Sequence, residues 1–169
     1  RVLDLPMRQA DVAIRMKEPS QADLVRRRLM SVTMRLFGSN DYFQKNGTPQ
    51  NLNELAHHRI ISQNMDTPQT NAGLELTRKL FPSDHESHIT VNNYIGVLQS
   101  VIHNLGIGVL PDYVEDDFSN IKRVLPEIKS SEVPVYLAYP EELRHSKRVT
   151  AFRDFVVDEV VAFRKSQKK

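Results

Sequence analysis

The side chains best suited to chemistry are polar groups placed just after apolar, strand-like runs. Arg15 closes the alternating segment Asp11–Met16, with Met16 beside it. Ser39 follows a long alternating segment. Ser62, Gln63 and Asn64 follow Ile60-Ile61, and Thr90, Asn92 and Asn93 follow Ile89. A guanidinium such as Arg15 can pair bidentately with a carboxylate or phosphate. Serine and asparagine at a helix start offer an oxygen to the backbone, and the helix N-terminus itself offers N–H donors to an anion. This chemistry is binding, of a small polar or anionic molecule. Each group taken alone is also an ordinary cap or surface residue.

Signals for catalysis are weak by comparison. The chain has no glycine-rich phosphate loop, nucleophile elbow or dinucleotide fingerprint. Gly106-Ile107-Gly108 follows a helical pattern, the wrong context for that fingerprint, and reads as a helix cap and a close-packing site. There are six histidines. His85 and His88 are three apart, but their segment reads as a loop with no third ligand in view, so no metal site is assigned. Asp116-Asp117 and Asp154/Asp158 sit on a loop and on an outer helix face, and are not read as a general acid–base pair. With no cysteine, thiol catalysis, disulfides and cysteine-ligated metals are excluded. No cofactor is expected, and the chain is not read as an enzyme.

Composition sets the frame. At 169 residues, 40% hydrophobic and 26% charged, the chain has material for one domain or two small lobes. The net charge of +2 does not make a polyanion binder. Arg26-Arg27-Arg28 and the terminal Arg164-Lys165 and Lys168-Lys169 read as a solvated face and a tail. No apolar run approaches the ~18 residues of a membrane span, and no membrane partner is expected. The start at Arg1 suggests a fragment of a longer chain.

The elements that must hold these groups follow from periodicity. Val12, Ile14 and Met16 alternate with polar positions, a strand signal. Leu24–Phe37 alternates over fourteen residues, long for one strand of about 5–6, and suggests a bent strand or one running between two lobes. A helix is predicted over Asp41–Asn46, capped by Ser39 or Asn40 and closed by Gly47. Thr48-Pro49 predicts a second helix start, with Leu52 and Leu55 inward. Arg59–Ser62 reads as a buried strand, and Asn71–Phe81 as a helix anchored by Leu74, Leu76 and Leu80. Ile89–Tyr113 reads as strand, helix and strand. In it Asn92 or Asn93 is the cap, Tyr94 to Leu105 give an apolar face, and Gly106 ends the helix. Tyr113-Val114 reads as a helical turn before an acidic loop. Ile121–Leu125 and Glu132–Tyr139 are strand candidates. A helix is predicted from Ser146 or Lys147 to Lys165, with Val149, Phe152, Phe155, Val156, Val160 and Phe163 as its apolar stripe. This alternation points to α/β architecture with a mainly parallel sheet.

Four stretches carry a family resemblance. Gln9-Ala10-Asp11-Val12-Ala13-Ile14-Arg15 is similar to a strand of the effector-binding domain of LysR-type transcriptional regulators. Leu36-Phe37-Gly38-Ser39-Asn40-Asp41-Tyr42-Phe43, with Gly47-Thr48-Pro49 and Leu52, Leu55 and His58, resembles that family's crossover strand and following helices. Gly106–Pro111 resembles its glycine-containing signature. Pro134–Pro140, with Arg144–Val149, Phe152 and Phe155, resembles its returning strand and final helix.

The resemblance implies a type 2 periplasmic-binding-protein-like fold of two α/β lobes joined by crossover strands. It implies a partial first lobe over 1–28, its N-terminal part lying upstream of Arg1. A second lobe follows over 29–118, with a return over 119–169. A small effector would sit between the lobes, near Arg15, Met16, Ser39, the Gln63–Asn64–Met65 loop, Asn92 and Asn93. Ser39 also reads as a plain helix cap. The implied protein is a cytoplasmic regulator, a homodimer or homotetramer. It would bind DNA through an N-terminal winged helix–turn–helix that is absent from this chain. A periplasmic solute-binding protein of the same fold is the alternative; an upstream signal peptide would favour it.

Overall fold

The fourteen-residue alternation is broken at one residue. In the computed structural model, β2 (Leu24–Val32) ends before Thr33 and β3 (Met34–Ser39) begins after it. Asp112 takes over the groups that a ladder would otherwise use. The Thr33 N–H and hydroxyl donate to Asp112 Oδ2 at 3.1 and 2.8 Å, and the Thr33 carbonyl accepts from the Asp112 N–H at 2.9 Å. Satisfied in this way, Thr33 interrupts the strand without leaving an orphaned backbone group. The structure describes residues 10–16, 18–19, 23–63, 72–81 and 89–166.

The chain divides into two compact units, 1–31 with 133–169, and 32–132, and it passes between them twice. The return to the first unit comes later than expected. A boundary at 118 would assign Ile121–Val124 to the return; as β7 it pairs instead with β3, Ser39 opposite Ile121 and Leu36 opposite Val124. The second unit therefore runs to Glu132.

That unit holds a five-stranded sheet in the order β5-β4-β6-β3-β7. Its other strands are β4 (Ile60–Gln63), β5 (Ile89–Val91) and β6 (Ile107–Pro111). β4 runs parallel to β5 and β6, while β3 runs antiparallel to β6 and β7. The sheet is thus mixed rather than mainly parallel, because β3 enters it from the opposite end. Side-chain alternation splits the core into two layers. Leu36, Ile60, Ile107 and Val109 pack on one face with Tyr42, Phe43, Leu55 and Leu76. Phe37, Ile61 and Leu110 pack on the other with Val97, Leu98, Val101 and Val114. These partners come from α1 (Asn40–Asn46), α2 (Leu52–Leu55), α3 (Ala72–Leu80), α4 (Tyr94–Ile102) and α5 (Val114–Asp117).

Local chemistry accounts for the helix ends. Ser39 Oγ accepts from the Tyr42 N–H at 3.0 Å and starts α1, and Gly47, at φ 82°, closes it. The second helix starts later than predicted. Asn51 caps it, accepting from the Glu54 N–H at 3.0 Å, and Glu54 accepts in return from the Gln50 N–H at 2.8 Å. This reciprocal box displaces Thr48-Pro49 as the start. Leu55 is buried as expected; Leu52, 53% exposed, is not. At the end of α4 the left-handed residue is Asn104, φ 63°, rather than Gly106. Gly106 is needed for a different reason: a Cβ there would lie 2.4 Å from the Arg59 carbonyl oxygen.

In the first unit β8 (Val133–Pro140) lies between β1 (Ala13–Arg15) and β2. β1 is antiparallel to β8. The long helix α6 (Lys147–Ser166) packs Val149 and Val156 against Leu29, Leu137 and Tyr139. Phe152 and Phe155, expected in that apolar stripe, are 43% and 61% exposed. None of the described helices is long and apolar enough to cross a membrane.

Candidate functional site

In the second unit the carboxyl ends of β4 and β5 bring two of the expected groups side by side. Gln63 and Val91 are register partners, so Gln63 and the Asn92-Asn93 pair leave neighbouring strands at the same edge of the sheet. One step back, Ser62 Oγ and Thr90 Oγ1 stand 3.4 Å apart. Ligands collect at such strand ends in α/β sheets because the helices that follow begin there.

Asn93 has a defined task. Its side-chain oxygen accepts from the Gly96 N–H at 2.8 Å and caps α4, while its amide nitrogen donates to Asn92 Oδ1 at 2.7 Å. One asparagine thus starts the helix and orients the other. Gly96 lets the first turn approach β5, since a Cβ there would stand 3.0 Å from Val91 Cβ. Asn92 and Asn93 are both exposed, and Gln63 is half-buried.

Two phenols adjoin this edge that sequence reading did not single out. Tyr94, the first residue of α4, is hydrogen-bonded through its side chain to Tyr113, two residues beyond β6. Burial first, then this bond and the nearby Asp117, push the Tyr94 phenol well above its ordinary value. Tyr94 is therefore a neutral hydroxyl at physiological pH. The available signal was a tyrosine beside the cap, but helical spacing makes it look like one more apolar-face residue.

Ser39 goes elsewhere. Because β3 runs antiparallel to β6, its carboxyl end is level with the amino ends of β6 and β7. Ser39 is 1% exposed; besides capping α1, its hydroxyl donates to Asn104 Oδ1 at 2.5 Å. Asn104 follows the far end of α4, a nine-residue helix, about 13 Å long. The expected convergence of Ser39 with Asn92 and Asn93 is not what the topology produces.

The same opposite edge holds a buried histidine. The Tyr42 hydroxyl accepts from the Arg59 N–H at 3.0 Å and lies 3.1 Å from His58 Nδ1. The hydroxyl thus ties the His58 ring to the Arg59 backbone, whichever of the two carries the shared hydrogen. Burial lowers the His58 pKa below 6.5, with Glu54 opposing and His57 assisting. His58 is a satisfied core histidine. Among the described residues no group of three His, Asp or Glu side chains is placed to hold a metal ion.

Arg15 and Met16 belong to the first unit. Arg15 ends β1 opposite Tyr136 of β8 and is half-buried; Met16, just beyond, is 49% exposed. Asn64, Met65, His85 and His88 lie outside the described residues.

At the shared edge of β4 and β5, amides, hydroxyls and a helix start are gathered. These groups donate and accept hydrogen bonds, and the arrangement suits binding rather than bond breaking. The family model described as the LysR substrate binding domain matches residues 1–161. The HTH-type transcriptional regulator CrgA of Neisseria meningitidis serogroup C is 27% identical over 162 residues, which are 94% of this chain and 54% of CrgA. An uncharacterized HTH-type transcriptional regulator of Haemophilus influenzae is 24% identical over 151 residues, covering 88% of this chain and 52% of the relative. The chain thus spans about half the length of these curated relatives. The solved CrgA regulatory domain superposes with a TM-score of 0.73 at 25% identity, covering 92% of this chain and 78% of that one. Its two-unit α/β architecture is accordingly the type 2 periplasmic-binding-protein-like fold. The chain belongs to the LysR substrate-binding domain family.

Proposed function

We propose that this chain is the effector-sensing part of a LysR-type transcriptional regulator, not an enzyme. The family match along residues 1–161 carries this reading. A small polar or anionic effector is bound by Gln63, Asn92 and Asn93 in the second unit and by Arg15 and Met16 in the first, in the cleft that the family resemblance implies. Asn64 is included by its place after Gln63 in the sequence. Ser39 is reassigned to structure, because its hydroxyl is already engaged by Tyr42 and Asn104. DNA contact is made by a part of the longer protein outside these residues, in the cytoplasm, and the working form is a homodimer or homotetramer. Signalling is a population shift: an effector that prefers one arrangement of the regulator changes its oligomer geometry by that difference in affinity. The solute-binding alternative is not favoured, since the relatives are transcriptional regulators.

The test is a thermal-shift screen of the chain with small carboxylic acids, phosphorylated acids and neutral polar compounds, followed by calorimetry on any hit. A true effector at 100 times its Kd adds about 2.7 kcal/mol to stability. The expected outcome is a hit weakened by Asn92→Ala. A hit with unchanged affinity in both Asn92→Ala and Arg15→Ala would remove these residues from the site.

A further inference from the structure

The edge of the second sheet where Gln63, Asn92 and Asn93 emerge has a one-sided charge. β4 runs parallel to β5 and β6, so the chain leaves three strands at this edge, through residues 64–71, 92–105 and 112–120. These segments contain five acids, Asp66, Asp112, Glu115, Asp116 and Asp117, and no lysine or arginine. Their one histidine, His103, is the C-cap of α4, at the far end of that helix. Strands β4, β5 and β6 themselves hold no cation. Arg59 precedes β4, and Arg78 and Lys79 are in the last turn of α3.

Two of these acids are already answered. Asp112 accepts twice from Thr33, and Glu115 pairs with Arg123 of β7. Asp116 and Asp117 remain exposed. The Asp117 charge reaches Tyr94, the first residue of α4, and is one of the causes that hold that phenol protonated. Along the sheet from β4, the first strand with a cation is β3, two strands or about 10 Å away at the usual spacing. That cation, Arg35, donates to the Pro126 carbonyl at 2.8 Å and to the Thr33 hydroxyl at 3.1 Å. The Debye length in physiological salt is ~8 Å, so little of its field arrives at the β4–β5 edge. The start of α4 carries about half a positive charge, and Asn93 has taken one of its N–H groups. A full carboxylate charge acting on the same turn outweighs it.

We propose that this edge binds the part of a ligand that carries no negative charge, a hydroxyl, amide or ammonium group, and disfavours carboxylates and phosphates. This rests on the effector reading above and sharpens it: an anionic group on the effector falls to Arg15, in the other unit, rather than to Gln63, Asn92 or Asn93. Recognition at the edge is by neutral hydrogen-bonding groups. Asparagine and glutamine side chains each carry a carbonyl oxygen that accepts from an N–H or O–H donor. Asp117 adds an attraction for an ammonium and a repulsion for an anion.

Amide chemical shifts of the full chain, titrated with four probes, test this. The probes are methylammonium and acetamide against acetate and inorganic phosphate, at equal concentration and ionic strength. Methylammonium and acetamide should move the Gln63, Asn92 and Gly96 signals in a saturable way. Acetate and phosphate should bind there at least about threefold more weakly, the effect of one screened charge. Asp117→Asn should weaken methylammonium and strengthen acetate, with acetamide binding and the melting curve unchanged. Anions that shift this edge as strongly as the other two probes, or an Asp117→Asn variant that changes neither charged probe, would overturn the proposal and leave the effector reading standing. No response of these amides to any of the four would overturn the proposal together with the effector role of these residues.

Discussion

Gly106 and Gly47 show how one residue type serves two physical needs. A Cβ at position 106 would stand 2.4 Å from a backbone oxygen of the strand-entry residue Arg59. Backbone cannot swing aside as a side chain can. Gly106→Ala should therefore cost about 1–3 kcal/mol in urea unfolding. Gly47 has open space around it but sits at φ 82°, so Gly47→Ala should cost only about 1–2 kcal/mol, through strain alone. Equal losses would contradict this distinction. His58 makes a pH prediction at the same scale. Its folded pKa is lowered from 6.5 by burial, so the unfolded chain takes up the proton first as pH falls. Its contribution is complete above about pH 6.5 and declines as pH drops from there towards the folded pKa. His58→Asn should flatten that part of the stability–pH profile measured by chemical denaturation. Sequence reading gave His58 no titrating role, since only tertiary packing buries it.

Elements were the most legible level. The strand at Ile89–Val91 and the helix at Asn40–Asn46 lie within a residue of their predicted spans, because cap, apolar face and terminating residue all agree locally. The misplaced start of α2 has a local cause too: Asn51 accepts from the Glu54 N–H while the Glu54 carboxylate accepts from the Gln50 N–H and the Asn51 side-chain amide, which out-competes Thr48-Pro49. Caps also make a prediction. Asn93→Ala should lower stability by about 1 kcal/mol, while Asn93→Asp should keep the cap and favour the helix dipole. Amide exchange in α4 reports the difference; equal protection in both variants would contradict the cap. The break between β2 and β3 was not legible, because Asp112 reaches Thr33 from 79 residues away. Asp112→Ala should leave the Thr33 N–H unsatisfied and cost about 1–3 kcal/mol. A urea midpoint unchanged by this variant would mean that the strand ends there for another reason.

For the whole molecule, Arg15 and Asn92 fall in different units. The proposed role requires Arg15→Ala and Asn92→Ala to weaken the same ligand, each at least several-fold by calorimetry, with melting temperatures close to wild type. A ligand sensitive to one substitution only would belong to one unit alone. The Tyr94–Tyr113 phenols supply a check on the second unit: Tyr113→Phe should alter affinity for a polar ligand if that sheet edge is used, because it removes one hydroxyl of the pair.

The sequence by itself determined the element types, most helix caps and the family, because these rest on neighbouring residues and on motifs kept in order. Tertiary structure decided direction. Period-two alternation carries no sign, so it cannot say that β3 runs against β6 and β7. That single reversal moved Ser39 to the far edge of the sheet, away from Asn92 and Asn93, and drew β7 into the second unit. It likewise decided which apolar residues of α6 found a partner. The helical stripe looks uniform in the sequence, but the sheet beneath it covers Val149 and Val156 and leaves Phe152 and Phe155 in water.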